Sequence, residues 1–181
     1  NSTELTFQPG ETTTYRLHYG WINAGEATVS VAPQTKRIDN TSCYKLTVNG
    51  KTTGVANAMF KVEDKWQSFV DTKTLFPKKS SRSIREGRYY LDETVDFQGN
   101  CANVAWNKKD KVTKHDKFDI PTNVHDIVSG YYFLRNINYD KLKPGQSTTI
   151  KAFFDDELYD FAVTYKGKET IKTSMGKVHA I

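Results

Sequence analysis

The side chains able to do chemistry are spread thinly along this sequence of 181 residues. Asp155-Asp156-Glu157 is the densest acidic cluster, and grouped carboxylates of this kind suit Ca²⁺. Adjacent strand residues point to opposite faces, and no EF-hand-type spacing follows. A hairpin corner with solvated charges is therefore the expected reading. Glu26, Glu63 and Asp64 are further carboxylates that a glycoside hydrolase would have to pair, with about 5–9.5 Å between the two groups across a cleft. His18, His115, His125 and His179 are scattered, with neither HxxxH nor HExxH among them, so metal catalysis lacks its ligand pairs. Ser129-Gly130 lacks the flanking residues of a GxSxG nucleophile elbow. Cys43 and Cys101 form no CxxC pair, which removes zinc ribbons and dithiol redox centres. Two readings stay open for these cysteines: a disulfide tying two strand starts, which needs an oxidising compartment, or two buried free thiols. No phosphate-binding glycine pattern is present. The expectation is a non-enzyme with no catalytic residue, no metal and no cofactor.

The aromatic residues are a richer signal. Trp21, Trp66, Trp106 and ten tyrosines can build an apolar pocket with polar tips, suited to a lipid, a glycan or another amphipathic ligand. The alternative is that these rings form the core, because leucine is scarce. The candidate ligand-binding set is Trp21, Trp66, Tyr131 and Tyr132, with Arg85 from the basic stretch. Trp21-Ile22, beside Asn23-Ala24-Gly25, reads as a hairpin tip that is exposed or folds back as a plug.

These residues must be positioned mainly by strands. Tyr15, Leu17 and Tyr19 alternate with Thr14, Arg16 and His18, and Tyr44, Leu46 and Val48 alternate with Lys45, Thr47 and Asn49. Tyr89, Leu91, Val95 and Phe97 line one face of a later run, and Tyr159, Phe161, Val163 and Tyr165 line another. Period-two alternation of this kind predicts strands with one buried face. Turn signals at Asn23-Ala24-Gly25, Asn49-Gly50, Gln98-Gly99-Asn100, Pro144-Gly145 and Lys166-Gly167 divide the chain into ten or eleven antiparallel strands. One segment has helical spacing. Val124, Ile127, Val128 and Tyr131 predict a buried helix near 123–136, capped by Asn123 with Asp126 answering it. Gly130 inside it costs about 1 kcal/mol relative to Ala, which implies a close backbone contact or mere tolerance. The stretch 78–88 carries Lys78, Lys79, Arg82, Arg85 and Arg88 with Ile84 as its sole aliphatic. It reads as a charged edge strand that resists edge-to-edge pairing, or as a strand that contacts an anion or lines a polar cavity. The fold class is mainly β: a curved antiparallel sheet forming an open barrel around one helix, with a two-sheet sandwich as the alternative.

Composition sets the remaining bounds. The length suits one β-rich domain over 1–181. A net charge of +5 with acidic and basic residues interleaved does not make the basic stripe of a nucleic-acid-binding domain, so no nucleic-acid partner is expected. No run approaches the about 20 apolar residues of a membrane-spanning helix, so the chain is not expected to be transmembrane.

Four stretches together resemble a known family. They are residues 15–27 (YRLHYGWINAGEA), residues 60–71 (FKVEDKWQSFVD) with Leu75-Phe76-Pro77, the 126–132 helix, and residues 153–159 (FFDDELY) followed by 167–172 (GKETIK). This combination resembles the bacterial family catalogued as domain of unknown function 3108, in particular its Bacteroides-type members. The resemblance runs from about Phe7 to Ile181. It implies export to the periplasm or cell surface, with a lipid anchor as one form of attachment, and it supplies no established activity. Similar proteins continue past the position of Ile181, so the expectation is that C-terminal strands are missing.

The functional expectation is an exported cell-envelope protein that binds or transports a lipid or lipid-linked glycan. The alternatives are an envelope assembly module that engages a protein partner and, third, a glycan hydrolase. A carrier should hold a continuous apolar cavity, an assembly module should have a filled core and an exposed apolar patch, and a hydrolase should bring two carboxylates together, one with a raised pKa.

Overall fold

The structure is a computed structural model that describes residues 5–20, 22–108, 113–173 and 176–180. Nine strands form one antiparallel sheet: β1 (Thr12–Tyr19), β2 (Ile22–Val31), β3 (Lys36–Ile38), β4 (Thr41–Thr52), β5 (Glu63–Asp71), β6 (Pro77–Glu86), β7 (Tyr89–Gln98), β8 (Cys101–Lys108) and β9 (Lys114–Asp119). Their order is β1-β2-β4-β5-β6-β7-β8-β9, with β3 paired to β4. Each main strand pairs with the next along this path, as hairpin connections require. Among the described residues β1 and β9 do not pair, so the sheet is open. Two short helices follow the same chain order, α1 (Gly54–Met59) between β4 and β5 and α2 (Ile127–Arg135) after β9. Two further hairpins, β10 (Ser147–Phe154) with β11 (Glu157–Thr164) and β12 (Glu169–Thr173) with β13 (Gly176–Ala180), form separate two-stranded sheets. The fold class is mainly antiparallel β with a buried helix, as expected, and the described strands number thirteen.

Register decides which residues share a face, because directly opposed residues of antiparallel strands point the same way. One row runs Val29, Val48, Trp66, Arg82, Glu93, Trp106 across six strands. The next row runs Val31, Leu46, Ser68, Ser80, Val95, Val104. Helix α2 and the β10–β11 hairpin pack on this face. Under α2, Phe7, Val29, Val31, Leu46, Val70, Val128 and Tyr132 form one buried cluster. Under the hairpin, Val95, Phe97, Ala102, Val104, Ile120, Val124 and Phe153 form a second. Full burial of such side chains contributes about 1.5–3 kcal/mol each, so these two clusters are the main adhesive between the layers. The apolar ends of both rows are covered, and their polar middles, Ser68, Ser80, Arg82 and Glu93, lie between the clusters.

Several expectations need correction. The helix starts at Ile127, not near residue 123. Val124 and His125 are buried in an extended segment, and His125 makes a parallel bridge to Ala152 of β10. Its N–H donates to the Lys151 carbonyl at 2.9 Å, and its own carbonyl accepts from Phe153 N–H at 2.8 Å. Asp126 is the cap in place of Asn123, with Ser129 completing the capping box. The basic stretch 78–88 is not an edge: β6 lies in the sheet interior between β5 and β7. Lys79, Arg82 and Arg85 are tolerated there because partners on β7 and on the β10–β11 turn meet them. Asn23-Ala24-Gly25 and Asn49-Gly50 are strand residues, and the first turn falls at Gly20, whose φ is +61°. Gly25 is required by proximity, since a Cβ there would stand 2.9 Å from the Lys51 carbonyl oxygen. Cys43 and Cys101 are both free and buried, so the disulfide reading fails and the thiol reading holds. They lie near the start of β4 and at the start of β8, four strand steps apart. At about 4.8 Å per step that separation far exceeds the about 7 Å limit between bridged Cα atoms. Finally, β1 and β11 lack their expected buried faces, because Tyr15, Leu17, Tyr159 and Phe161 are exposed.

Candidate functional site

The polar seam between the two clusters is centred on Arg82. Its position opposite Trp66 and Glu93 follows from register alone. The guanidinium is 9% exposed and the Glu93 carboxylate 11%. Arg82 Nη2 donates to Glu93 Oε2 at 2.7 Å and to Asp155 Oδ1 at 2.8 Å. The Arg82 guanidinium lies over the Phe154 ring at 4.9 Å and the Trp66 ring at 5.6 Å. Asp155 reaches this point because Asp155 and Asp156 form the β10–β11 turn with φ +52° and +66°, a two-residue hairpin conformation that Asp tolerates. The acidic cluster is thus a hairpin corner, as expected, and one of its carboxylates latches the hairpin to the sheet. Burial raises the Glu93 pKa despite Arg82, with Asp156 and Asp155 adding to the rise. A cavity of about 30 Å³ adjoins Arg82, lined also by Trp66, Ser81, Glu93, Asp126 and Phe154. Arg82 Nε is buried without a hydrogen-bond partner among the described residues.

On the same cavity, Asp126 pins α2 to the sheet. Its Oδ1 accepts from Val128 N–H at 2.8 Å and Ser129 N–H at 3.0 Å. Its Oδ2 accepts from the Ser68 hydroxyl at 2.5 Å. Burial raises the Asp126 pKa, and these hydrogen bonds oppose the rise. His125 Nδ1 lies 3.2 Å from Ser129 Oγ, and the ring packs between Phe76 and Phe133. Burial lowers the His125 pKa to about 4. Ser129, His125 and Asp126 are the residue types of a hydrolytic triad, yet all three are buried. The serine hydroxyl is committed to the cap, where it accepts from Asp126 N–H at 2.9 Å and contacts the Asp126 carbonyl at 3.1 Å. The arrangement fastens a helix and offers no nucleophile to a substrate.

The candidate ligand residues separate. Trp66 lies in the seam. Tyr132 is buried at the far end of α2 against Phe7, with the Arg135 guanidinium 5.3 Å from its ring. Tyr131 is half-buried, and its hydroxyl meets that of Tyr15 at 2.9 Å. Burial pushes both tyrosines up to about 12. Arg85 faces the opposite side of the sheet from Arg82. There its Nη2 bridges both oxygens of Asp92 at 2.7 Å and the guanidinium covers Tyr90. Trp21 lies outside the described residues. Sequence reading favoured Arg85, whereas Arg82 is the arginine beside Trp66. Its alternation with Ile84 was the available signal, since 82 and 84 share a face. Asp64 and Glu86 supply a close carboxylate pair at the sheet end, and Glu86 is raised by burial and then by Asp64. Asp64 Oδ1 also accepts from Arg85 N–H at 3.0 Å. Among the described residues no His, Cys, Asp and Glu cluster fits a metal ion, and no helix is long and apolar enough to cross a membrane.

The same sheet end carries a second feature. The ends of β1, β4 and β6 and the starts of β2, β5 and β7 meet there, as antiparallel order demands. Leu17 and Ile22, then Val55, Met59 and Phe60, then Tyr89 and Tyr90 are all exposed. Helix α1 has no buried residue and no side-chain cap. It is attached through the Thr53 N–H to Ala24 carbonyl bond at 3.1 Å and through Phe60, which lies against Gly87.

The family described as a protein of unknown function, DUF3108, matches residues 14–181, and the chain belongs to that family. No curated protein and no solved structure matches the chain.

Proposed function

We propose that this member of the DUF3108 family is an exported cell-envelope protein that works by binding rather than by catalysis, and that it engages its partner through the exposed apolar surface at the α1 end of the sheet. One observation carries the reading. The covered face of the sheet is filled by α2 and the β10–β11 hairpin, while Val55 and Met59 stand 65% and 82% exposed. Ligand carriers enclose cavities of about 300–1,000 Å³ with apolar walls, whereas the seam holds about 30 Å³ and the hollow of about 550 Å³ beside β3 is lined by polar side chains, Arg37, Asn40, Asp71 and Lys73 among them. Exposed clusters of large apolar side chains mark interaction surfaces. Export is carried over from the family resemblance and is tested by fractionating the producing cell. The binding surface is tested with a photo-crosslinking residue at position 59 and a control at position 79, beyond the opposite end of the seam. Adducts from 59 and none from 79 are expected. Equal silence at 59 in the intact envelope overturns the reading.

A second reading, an amphipathic ligand held at the seam, is favoured by the Trp66, Arg82 and Phe154 stack. The aromatic row continues outward through Tyr159 and Phe161, with ring centroids 6.5 and 6.0 Å apart. Native mass spectrometry after exposure to lipid extract would then show an added mass that a Trp66→Ala variant loses.

A further inference from the structure

We propose that the cavity beside Arg82 is a binding site for water, and that this water joins the two anchors of the covering layer: the Arg82–Asp155 latch on the β10–β11 hairpin and the Asp126 cap on α2. The site is separate from the apolar surface at the α1 end. Arg82 Nε is buried without a hydrogen-bond partner among the described residues, on a side chain only 9% exposed. Nη2 is committed to Glu93 and Asp155. The Phe154 and Trp66 rings lie against the guanidinium at 4.9 and 5.6 Å, but a ring face is a weak acceptor. Buried donors in native proteins are nearly always met by protein or by ordered water.

Size and charge select the occupant. A cavity of about 10–15 Å³ admits one water. This one offers about 30 Å³, too little for a sugar ring or an acyl chain. Glu93, Asp126 and Asp155 line it beside Arg82, and three carboxylates around one guanidinium repel a small anion. The unmet N–H of a cation repels a metal ion, and among the described residues no cluster of His, Cys, Asp and Glu fits one. What remains is a neutral molecule that both accepts and donates.

The site supplies the partners a buried water needs, about three on average. Arg82 Nε donates to it. The Glu93 and Asp126 carboxylates accept from it, since a carboxylate has about four acceptor positions. Asp126 uses three of them, on Val128, Ser129 and Ser68. A water between Arg82 Nε and Asp126 therefore links the hairpin latch to the helix cap, and through Ser68 to β5. Buried hydrogen bonds connected in this way reinforce one another, so loosening the latch loosens the cap.

The test is a high-resolution crystal structure of the full chain, together with water-to-protein NOE spectra at the Arg82 Nε–H resonance. The expected result is a density peak about 2.7–3.2 Å from Nε and within the same reach of Glu93 or Asp126, with a cross-peak from a long-lived water. Nε turned onto a protein acceptor or a ring, with no peak beside it and no cross-peak, overturns the proposal. A larger organic density there also overturns it, and supports the reading of a ligand at the seam instead. The link between the anchors is read by hydrogen exchange in Arg82→Lys, which keeps a positive charge for Glu93 and Asp155 and removes the guanidinium Nε. Exchange should quicken by up to about tenfold at the Val128 and Ser129 amides, as well as at the hairpin turn. Quickening at the turn alone overturns the link. Both wild-type measurements decide the water site even if this variant fails to fold.

Discussion

Acid should loosen this fold through one histidine. His125 is 2% exposed and packs between Phe76 and Phe133, and burial holds its pKa near 4 against about 6.5 for an open imidazole. Between those values the unfolded chain binds a proton that the folded chain refuses, so stability falls as pH falls. The contribution is complete above about pH 6.5 and exhausted below about pH 4. At about 1.4 kcal/mol per pH step across that gap, the loss is about 3 kcal/mol, a large part of the about 5–15 kcal/mol that holds a domain together. Asp126 acts in the opposite direction, because burial raises its pKa and the folded chain retains a proton that the unfolded chain releases. Its contribution is common to wild type and a His125→Phe variant, which keeps a ring between the two phenylalanines. Urea unfolding of both proteins from pH 7 to pH 4 isolates the histidine as the difference between the two curves. Wild type should lose about 3 kcal/mol more than His125→Phe over that range. Parallel curves would refute the argument that the imidazole is buried in its neutral form.

Other perturbations read other parts of the structure. Arg82→Ala leaves the buried Glu93 carboxylate uncompensated and should cost about 3–5 kcal/mol in chemical denaturation. Arg82→Met combined with Glu93→Leu should recover most of that loss, because a matched apolar pair needs no counter-charge. Tyr132 Oη is buried without a hydrogen-bond partner among the described residues, so Tyr132→Phe should leave thermal stability unchanged or raise it by about 1 kcal/mol, with a clear drop in melting temperature as the contrary result. Alkylation in denaturant without reductant should label both Cys43 and Cys101. In the native state Cys43 should react slowly, because burial and then Asp71 raise its pKa. A protein that takes up no label until reduced would contradict the free-thiol assignment.

Most of the sheet was legible because its signal is local. Period-two alternation located β1, β4, β7 and β11, and the absence of an EF-hand-type spacing left Asp155-Asp156-Glu157 as the hairpin corner it is. What failed depends on partners distant in sequence. The 78–88 stretch looks like an edge until Glu93 and Asp155 are seen to meet Arg82. The helix predicted near 123–136 takes in Val124 and His125, but hydrogen bonds between His125 and β10, some 25 residues on, draw this segment into extended backbone. Asn23 and Asn49 carry turn chemistry, yet strand pairing overrode it. The two-state choice for the cysteines was undecidable without strand order. At the candidate site, Trp66 was legible as an aromatic on a strand, whereas the choice of Arg82 over Arg85 required only parity with Ile84. Of the α1 end only Ile22 was legible, in the Trp21-Ile22 tip; the rest is assembled from separate connections, each too short to show a pattern of its own.

The covering of the sheet by later elements has a consequence for how the chain is made. All nine strands of the main sheet are encoded before residue 120, whereas α2 and the β10–β11 hairpin, which close both apolar clusters, follow it. Phe7, near the beginning, waits for Tyr132 to arrive. During vectorial synthesis or translocation the sheet must therefore exist for a time with Val31, Leu46, Val95 and Val104 bare to solvent. That interval is when such a chain sticks to its neighbours, and its duration is set by the rate at which residues 120–154 emerge. A holding chaperone that acts on this protein would find its target on the uncovered sheet face, and would be released by the helix and hairpin as they dock.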